Sequence, residues 1–144
     1  MKYLTIIAIV LTMASCCNQA PEQKTDEVVV HEAQANAVSL VNGEPWKVNF
    51  ATNKGIRNMK KLMANFKTDS QISDYRETGA KLQKEFQHIF QRCDMTGEAH
   101  NQLHNYLHPM SGWFKTFKDG SLAECQSAAK ALKKHLDEYD SYFK

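Results

Sequence analysis

The sequence predicts an all-α protein, an antiparallel up-down-up-down four-helix bundle that follows a short extended N-terminal lead-in. Apolar residues recur at spacings of three and four along four successive runs, as on the buried faces of bundle helices. Short clusters of turn residues separate the runs, which favours antiparallel neighbours. A length of 144 residues with 42% hydrophobic and 24% charged residues is typical of one globular domain. We expect residues 46–144 to form the bundle.

Residues 1–15 have the features of a bacterial secretory signal. Lys2 precedes the apolar run Leu4–Met13, which is too short to span a bilayer at roughly 20 residues. The run ends in Met13-Ala14-Ser15-Cys16, which resembles the lipobox of bacterial lipoproteins, although that motif usually has Leu in place of Met13. The resemblance implies lipidation at Cys16 and a membrane-anchored protein of the bacterial cell envelope, facing the periplasm or the cell surface. The alternative is an ordinary cleaved signal with a coincidental cysteine.

Residues 16–45 are interpreted as a flexible tether followed by an extended lead-in. The first part is rich in Gln, Glu, Ala, Asn and Thr and has no helical stripe. Asn42-Gly43 then lies between apolar residues, which indicates a hairpin turn. Pro45 disfavours a regular second arm, so we expect a short irregular segment whose Trp46 packs on the bundle.

Each of the four helical runs has a stripe of apolar or small residues that we expect to face the core. The stripes comprise Ile56, Met59, Met63 and Phe66; Tyr75, Leu82, Phe86, Ile89 and Cys93; His100, Leu103, Leu107, Met110, Phe114 and Phe117; and Leu122, Cys125, Ala129, Leu132, Leu136, Tyr139 and Phe143.

Helix boundaries are predicted from capping chemistry. Thr96 is placed to cap the third helix, and Ser121 with Glu124 forms a capping box that opens the fourth. Gly120 is expected to end the third helix as a left-handed C′ residue. Pro109 lies inside the third run and predicts a kink or a local irregularity.

Cys93 and Cys125 flank the third helix at opposite ends. A helix of roughly 20 residues is about 30 Å long, whereas a disulfide needs Cα atoms within about 7 Å. The predicted topology therefore excludes a Cys93–Cys125 bridge.

Soft and imidazole donors concentrate at the turn between the second and third helices. Cys93, Met95, His100 and His104 lie within twelve residues, and the two histidines are spaced i, i+4 on one helix face. Thiolate, thioether and imidazole together suit copper, zinc or a haem iron. His100 is the only histidine that we place on a core stripe, so it is the expected first ligand, with Met59 on the first helix at a similar height. The alternative is solvated histidines, a core methionine and an inert buried cysteine.

Two segments resemble the cytochrome b562 family of small periplasmic four-helix haem proteins. They are Asn58-Met59-Lys60-Lys61-Leu62 and the stretch from Asp119 through Ala129, continued by Leu132-Lys133 and Tyr139. The resemblance implies a haem protein with Met59 as an axial ligand. The second ligand of that family is a histidine just after the C-terminal tyrosine, a position that holds Asp140 here.

Several function classes are disfavoured. A net charge of +2 gives no basic footprint for nucleic acid. No glycine-rich phosphate loop or core carboxylate pair is recognisable. Cys93 near His100 allows a thiol–imidazole pair, but no oxyanion loop or third orienting group accompanies it. A thiol enzyme is therefore the least favoured of three alternatives, and we expect no enzyme. The sequence instead predicts an envelope lipoprotein that binds a copper or zinc ion or haem at the turn between the second and third helices. The alternative is a cofactor-free structural or interaction lipoprotein, whose protein partner the sequence does not specify.

Overall fold

A computed structural model describes residues 37–67 and 69–144 of the chain. The helices are α1 (Phe50–Ala64), α2 (Ile72–Gln91), α3 (Gly97–Asp119), α4 (Leu122–Asp137) and the single turn α5 (Tyr139–Tyr142). Each of the four long helices packs against its neighbours in chain order, and α1 closes the bundle against α4. The predicted four-helix bundle is thus confirmed. None of the helices described is long and apolar enough to cross a bilayer.

The predicted signal, the lipidation site at Cys16 and the tether up to residue 36 lie outside the described residues. They stay predictions.

Hydrogen bonds between helix ends establish the antiparallel order. The side chain of Asn49, at the start of α1, donates to the carbonyl oxygen of Arg92, just after α2, at 2.9 Å. The guanidinium of Arg76, near the start of α2, donates to the carbonyl oxygen of Gly120, just after α3, at 2.7 Å. In α3 and α4, Cys125 contacts Thr116 near the end of α3, and His135 contacts Tyr106 nearer the start of α3. Consecutive helices therefore run in opposite directions, and the bundle has two distinct ends.

The core follows most positions of the predicted stripes. Phe66, Phe86, Cys93 and His100 are only half-buried, and two further residues depart from expectation. Ile56, Met59, Leu82 and Leu132 are fully buried, as expected. Leu122 is 42% exposed because it is the first residue of α4 and lies at the edge of the bundle. Tyr106 was absent from the predicted stripe but is 1% exposed, because its ring is enclosed by aromatic side chains near the C-terminus. The apolar seam on α3 is thus wider than its spacing alone indicated.

The predicted capping box is present, whereas two other boundaries differ from expectation. Ser121 and Glu124 bond reciprocally at the start of α4. Gly120 is extended (φ −74°, ψ 165°), so the predicted left-handed conformation is wrong. Glycine is needed there for a different reason, because a Cβ would lie 2.7 Å from the carbonyl oxygen of Thr116. The Thr96 side chain makes no capping bond, and α3 continues through Pro109 without a break.

The lead-in forms the expected turn and then pairs with the C-terminus. Val41 and Glu44 exchange backbone hydrogen bonds of 2.9 Å across Asn42 and Gly43, both of which have positive φ. The Trp46 side chain is half-buried. Its backbone amide donates to the carbonyl oxygen of Tyr142 at 2.7 Å, and its backbone carbonyl accepts from the amide of Lys144 at 2.8 Å. The fourth predicted run ends earlier than its stripe indicated. α4 ends at Asp137, and Phe143 lies in extended backbone, where it pairs with Trp46.

Candidate metal centre

Asn49, the residue that precedes α1, fixes the loop that carries Cys93. The Asn49 side chain accepts from the amide of Thr52 at 2.8 Å and so caps α1. Its amide nitrogen also donates to the carbonyl oxygen of Arg92 and, at 2.6 Å, to the carboxylate of Asp94. Asn49 therefore contacts the residues on both sides of Cys93, through the backbone of Arg92 and the side chain of Asp94. Its helix-capping position did not reveal this long-range role.

Cys93 and His100 form the closest donor pair of the predicted cluster. Cys93 lies in the loop after α2 and is half-buried, and His100 lies in the first turn of α3. The Cys93 Sγ atom is 3.5 Å from His100 Nδ1. A thiol and an imidazole at this separation can share a proton, or the deprotonated thiol and neutral imidazole can coordinate a cation together.

His104 lies directly beside this pair. Its ring centroid is 4.4 Å from that of His100, and the ring of Phe90 contacts it edge-on at 5.3 Å. Partial burial, and then the proximity of His100, lower the pKa of His104 below its ordinary value of 6.5. The neutral imidazole that binds metals is therefore favoured near neutral pH.

The remaining predicted ligands are placed less favourably. Met59 is fully buried within the apolar core, and Met95 is half-buried against that core. Among residues 37–67 and 69–144, no three His, Cys, Asp or Glu side chains converge closely enough to hold a metal ion. The described cluster is thus a Cys93–His100 pair with His104 adjacent.

The donor set for haem of the cytochrome b562 type does not fit this chain. Asp140 is exposed, and its carboxylate forms an ion pair with Lys60 at 2.6 Å. No imidazole occupies that position, and Met59 fills apolar core space. The second haem ligand that the family resemblance implies is therefore missing from its expected position.

His135 corrects the expectation that His100 would be the only histidine turned toward the core. The His135 ring stacks on Tyr106 with centroids 4.1 Å apart, and its Nε2 donates to the Tyr106 carbonyl oxygen at 2.8 Å. The Tyr106 hydroxyl donates in return to the His135 carbonyl oxygen at 2.7 Å. These paired bonds join α3 to α4, so His135 has a structural role. No sequence signal links the two residues, which are 29 positions apart.

The two described cysteines are separate free thiols. Cys125 contacts the carbonyl oxygen of Thr116 at the far end of α3 from His100, in agreement with the predicted separation from Cys93.

Comparisons of this chain with protein-family models, curated proteins and solved structures find no match.

Proposed function

We propose that this protein is a bacterial envelope lipoprotein, anchored through Cys16, whose helical bundle binds one zinc or copper ion through Cys93 and His100. The observation that carries the metal part is the 3.5 Å separation of Cys93 Sγ and His100 Nδ1. The lipobox-like sequence before Cys16 supports the anchor.

The separation of the two donor atoms suits tetrahedral coordination. Zinc lies about 2.3 Å from thiolate sulfur and about 2.0–2.1 Å from imidazole nitrogen, and at the tetrahedral angle these two donors are about 3.5–3.6 Å apart. Cys93 and His100 thus need little rearrangement to take one ion between them. Because thiolate is a soft ligand, copper(I) is the other ion that this pair accommodates.

His104 is the proposed third ligand. A rotation about its side-chain bonds is required, since no three-donor group is preformed in the described chain. Its lowered pKa keeps the ring neutral for binding. An incompletely formed site of this kind favours reversible binding over a permanent structural metal.

One observation favours a second candidate function, that of a cofactor-free interaction lipoprotein. Because the described residues contain no three-donor group, the contact between Cys93 and His100 is then an ordinary hydrogen bond that orders the loop between α2 and α3. Metal binding separates the two candidates.

The metal proposal is tested by titrating purified protein with zinc in competition with a chromophoric chelator. We expect about one ion per chain. His100→Ala should weaken binding more than about 100-fold, beyond the 10–100-fold typical of losing an outer-shell partner. His108→Ala is the matched control, since His108 is an exposed histidine on the same helix. Equal affinity of the parent and His100→Ala would reject the Cys93–His100 site, and a parent that binds no zinc would favour the cofactor-free candidate.

The anchor is tested separately in cells. Cys16→Ser should move the protein from the membrane fraction to the soluble envelope fraction. Unchanged partitioning would reject lipidation at Cys16 and would leave the metal proposal intact.

A further inference from the structure

A groove made of two adjoining cavities runs along the outer junction of α1 and α2. One cavity of about 500 Å³ lies between Leu62 and Phe66 on one side and Lys81 and Lys84 on the other. A second cavity of about 280 Å³ continues toward Phe50. Both cavities are lined by Asn58 and Glu85, so they form one groove along the two helices.

The groove is strongly cationic. Its lining includes Lys54, Lys61, Lys81, Lys84 and Arg92. Among the described residues, Lys54, Lys61 and Lys84 have no ion-pair partner.

A single carboxylate lines the groove. It belongs to Glu85, which accepts a hydrogen bond from Asn58 at 2.9 Å. The groove therefore has an excess of unpaired positive charge.

This charge is specific to one half of the bundle. The segment from Phe50 to Gln91 contains eight Lys and Arg against four Asp and Glu, whereas that from Gly97 to Tyr142 contains five against six. The small net charge of the whole chain conceals this asymmetry.

Apolar side chains accompany the cations. Phe50 is 78% exposed at one end of the groove, the most exposed large hydrophobic residue among those described. Leu62 and Phe66 are half-buried along its length. A ligand that matches this surface carries both negative charge and hydrocarbon.

We propose that the α1–α2 groove and Phe50 form a docking surface for an anionic phospholipid bilayer. Four of the five cations are lysines, whose compact charges suit phosphate headgroups without the bidentate geometry that Arg provides for carboxylates. The exposed Phe50 ring is placed to enter the headgroup region.

The chain outside the described residues favours the same occupant. Cys16 and Ala37 are joined by 21 residue steps, which span at most about 70–75 Å. A lipid on Cys16 keeps Ala37 within that distance of a bilayer, so the bundle that carries the cationic face stays near the membrane surface. This supporting point rests on the proposed anchor, whereas the groove itself does not.

The experiment measures co-sedimentation of the unlipidated full mature chain, carrying Cys16→Ser, with vesicles. We expect binding to equal parts phosphatidylglycerol and phosphatidylcholine, weakening with salt, and no binding to phosphatidylcholine alone. Lys61→Glu combined with Lys84→Glu should reduce binding at least about 25-fold, since each lysine near an anionic surface contributes roughly fivefold.

Matched variants make the result specific to this face. Lys118→Glu with Lys130→Glu changes the net charge equally on α3 and α4, also at exposed positions, and should retain most of the binding. Phe50→Ser should weaken binding, whereas Leu122→Ser, at an exposed apolar residue of the opposite end, should not.

Equal losses in the two lysine pairs would overturn the proposal, because net charge alone would then explain binding. The proposal would also be overturned if poly-glutamate displaced the protein from the vesicles and bound it as tightly as they do. An acidic polypeptide would then be the favoured partner. Because the protein tested carries no lipid, failure here is distinguishable from failure of the Cys16 anchor, which membrane fractionation of cells reports.

Discussion

The two ends of the bundle each contain one described cysteine, in opposite chemical surroundings. Cys125 is fully buried, and its thiol donates to the carbonyl oxygen of Thr116 at 3.2 Å. Arg76 covers it, with a guanidinium nitrogen 3.7 Å from the sulfur. Cys93 is half-buried and faces the imidazole of His100. The Cys125 thiol is therefore part of the packed core, bonded to a backbone carbonyl. The Cys93 thiol faces an imidazole and is available to bind a metal ion or to react.

The largest expected effect breaks the Cys125 end. Arg76→Met removes hydrogen bonds to the carbonyl oxygens of Phe117 and Gly120 that close the C-terminus of α3. Hydrogen bonds from charged groups contribute about 1.5–3 kcal/mol each, and two of them about 3–6 kcal/mol. Because Arg76 is only half-buried, water replaces part of this, and we expect a loss of about 2–4 kcal/mol in unfolding free energy. Urea denaturation measures it, with the exposed Lys115→Met as control. A loss below about 0.5 kcal/mol would show that Arg76 does not hold this end.

The second prediction compares the reactivity of the two thiols. In a background of Cys16→Ser and Cys17→Ser, Cys93 should react with a maleimide in the native state at least about 100-fold faster than Cys125. Cys125 is reached only when the core opens. Mass spectrometry of single-cysteine variants gives both rates. Comparable rates would contradict the assignment of one structural and one available thiol.

The fold was predictable where the sequence signal is local. Spacings of three and four identified the four stripes, and Asn42-Gly43 and Ser121–Glu124 identified a turn and a cap. The interhelical contacts of Arg76 and of Tyr106 with His135 join residues at least 29 positions apart, so no local pattern encodes them.

The candidate site was predictable only in part, for the same reason. The short spacing of Cys93, His100 and His104 placed these residues at one end. Which donors meet depends on the loop after α2. Asn49 fixes that loop from the start of α1, more than 40 positions away in the sequence.

The third prediction concerns pH. Burial lowers the pKa of His135 below its ordinary value of 6.5. The hydrogen bond to Tyr106 and the charge of Glu138 raise this pKa, but by less than burial lowers it. The unfolded chain then binds the proton more readily than the native protein, so stability should fall as pH decreases below about 6.5. Urea midpoints across pH measure this. His135→Gln, which keeps a donor for the Tyr106 carbonyl, should reduce the slope, and the exposed His108→Gln should not. An unchanged slope in His135→Gln would reject this origin.

The smallest expected effect lies at the Cys93 end. Thr52 is fully buried in the first turn of α1, and its hydroxyl oxygen has no hydrogen-bond partner among the described residues. Thr52→Val preserves the shape and removes the unsatisfied group, so we expect stabilisation of about 1 kcal/mol. Thermal denaturation of the two variants Thr52→Val and Thr116→Val measures the difference. Thr116→Val is the control, because it removes a hydroxyl that donates to the Gly112 carbonyl oxygen at 3.1 Å, and it should not be stabilised. Destabilisation by Thr52→Val would mean that the hydroxyl has a partner.

The central claim is that Cys93 and His100 bind one ion together, and cobalt(II) spectroscopy tests it most directly. Cobalt(II) replaces zinc in tetrahedral sites, and a thiolate ligand gives it an ultraviolet sulfur-to-metal charge-transfer band. In a background of Cys16→Ser and Cys17→Ser, we expect this band at one cobalt per chain. It should persist in Cys125→Ser and disappear in Cys93→Ser and His100→Ala. Absence of the band in the Cys16→Ser, Cys17→Ser parent, or its persistence in Cys93→Ser, would contradict the account.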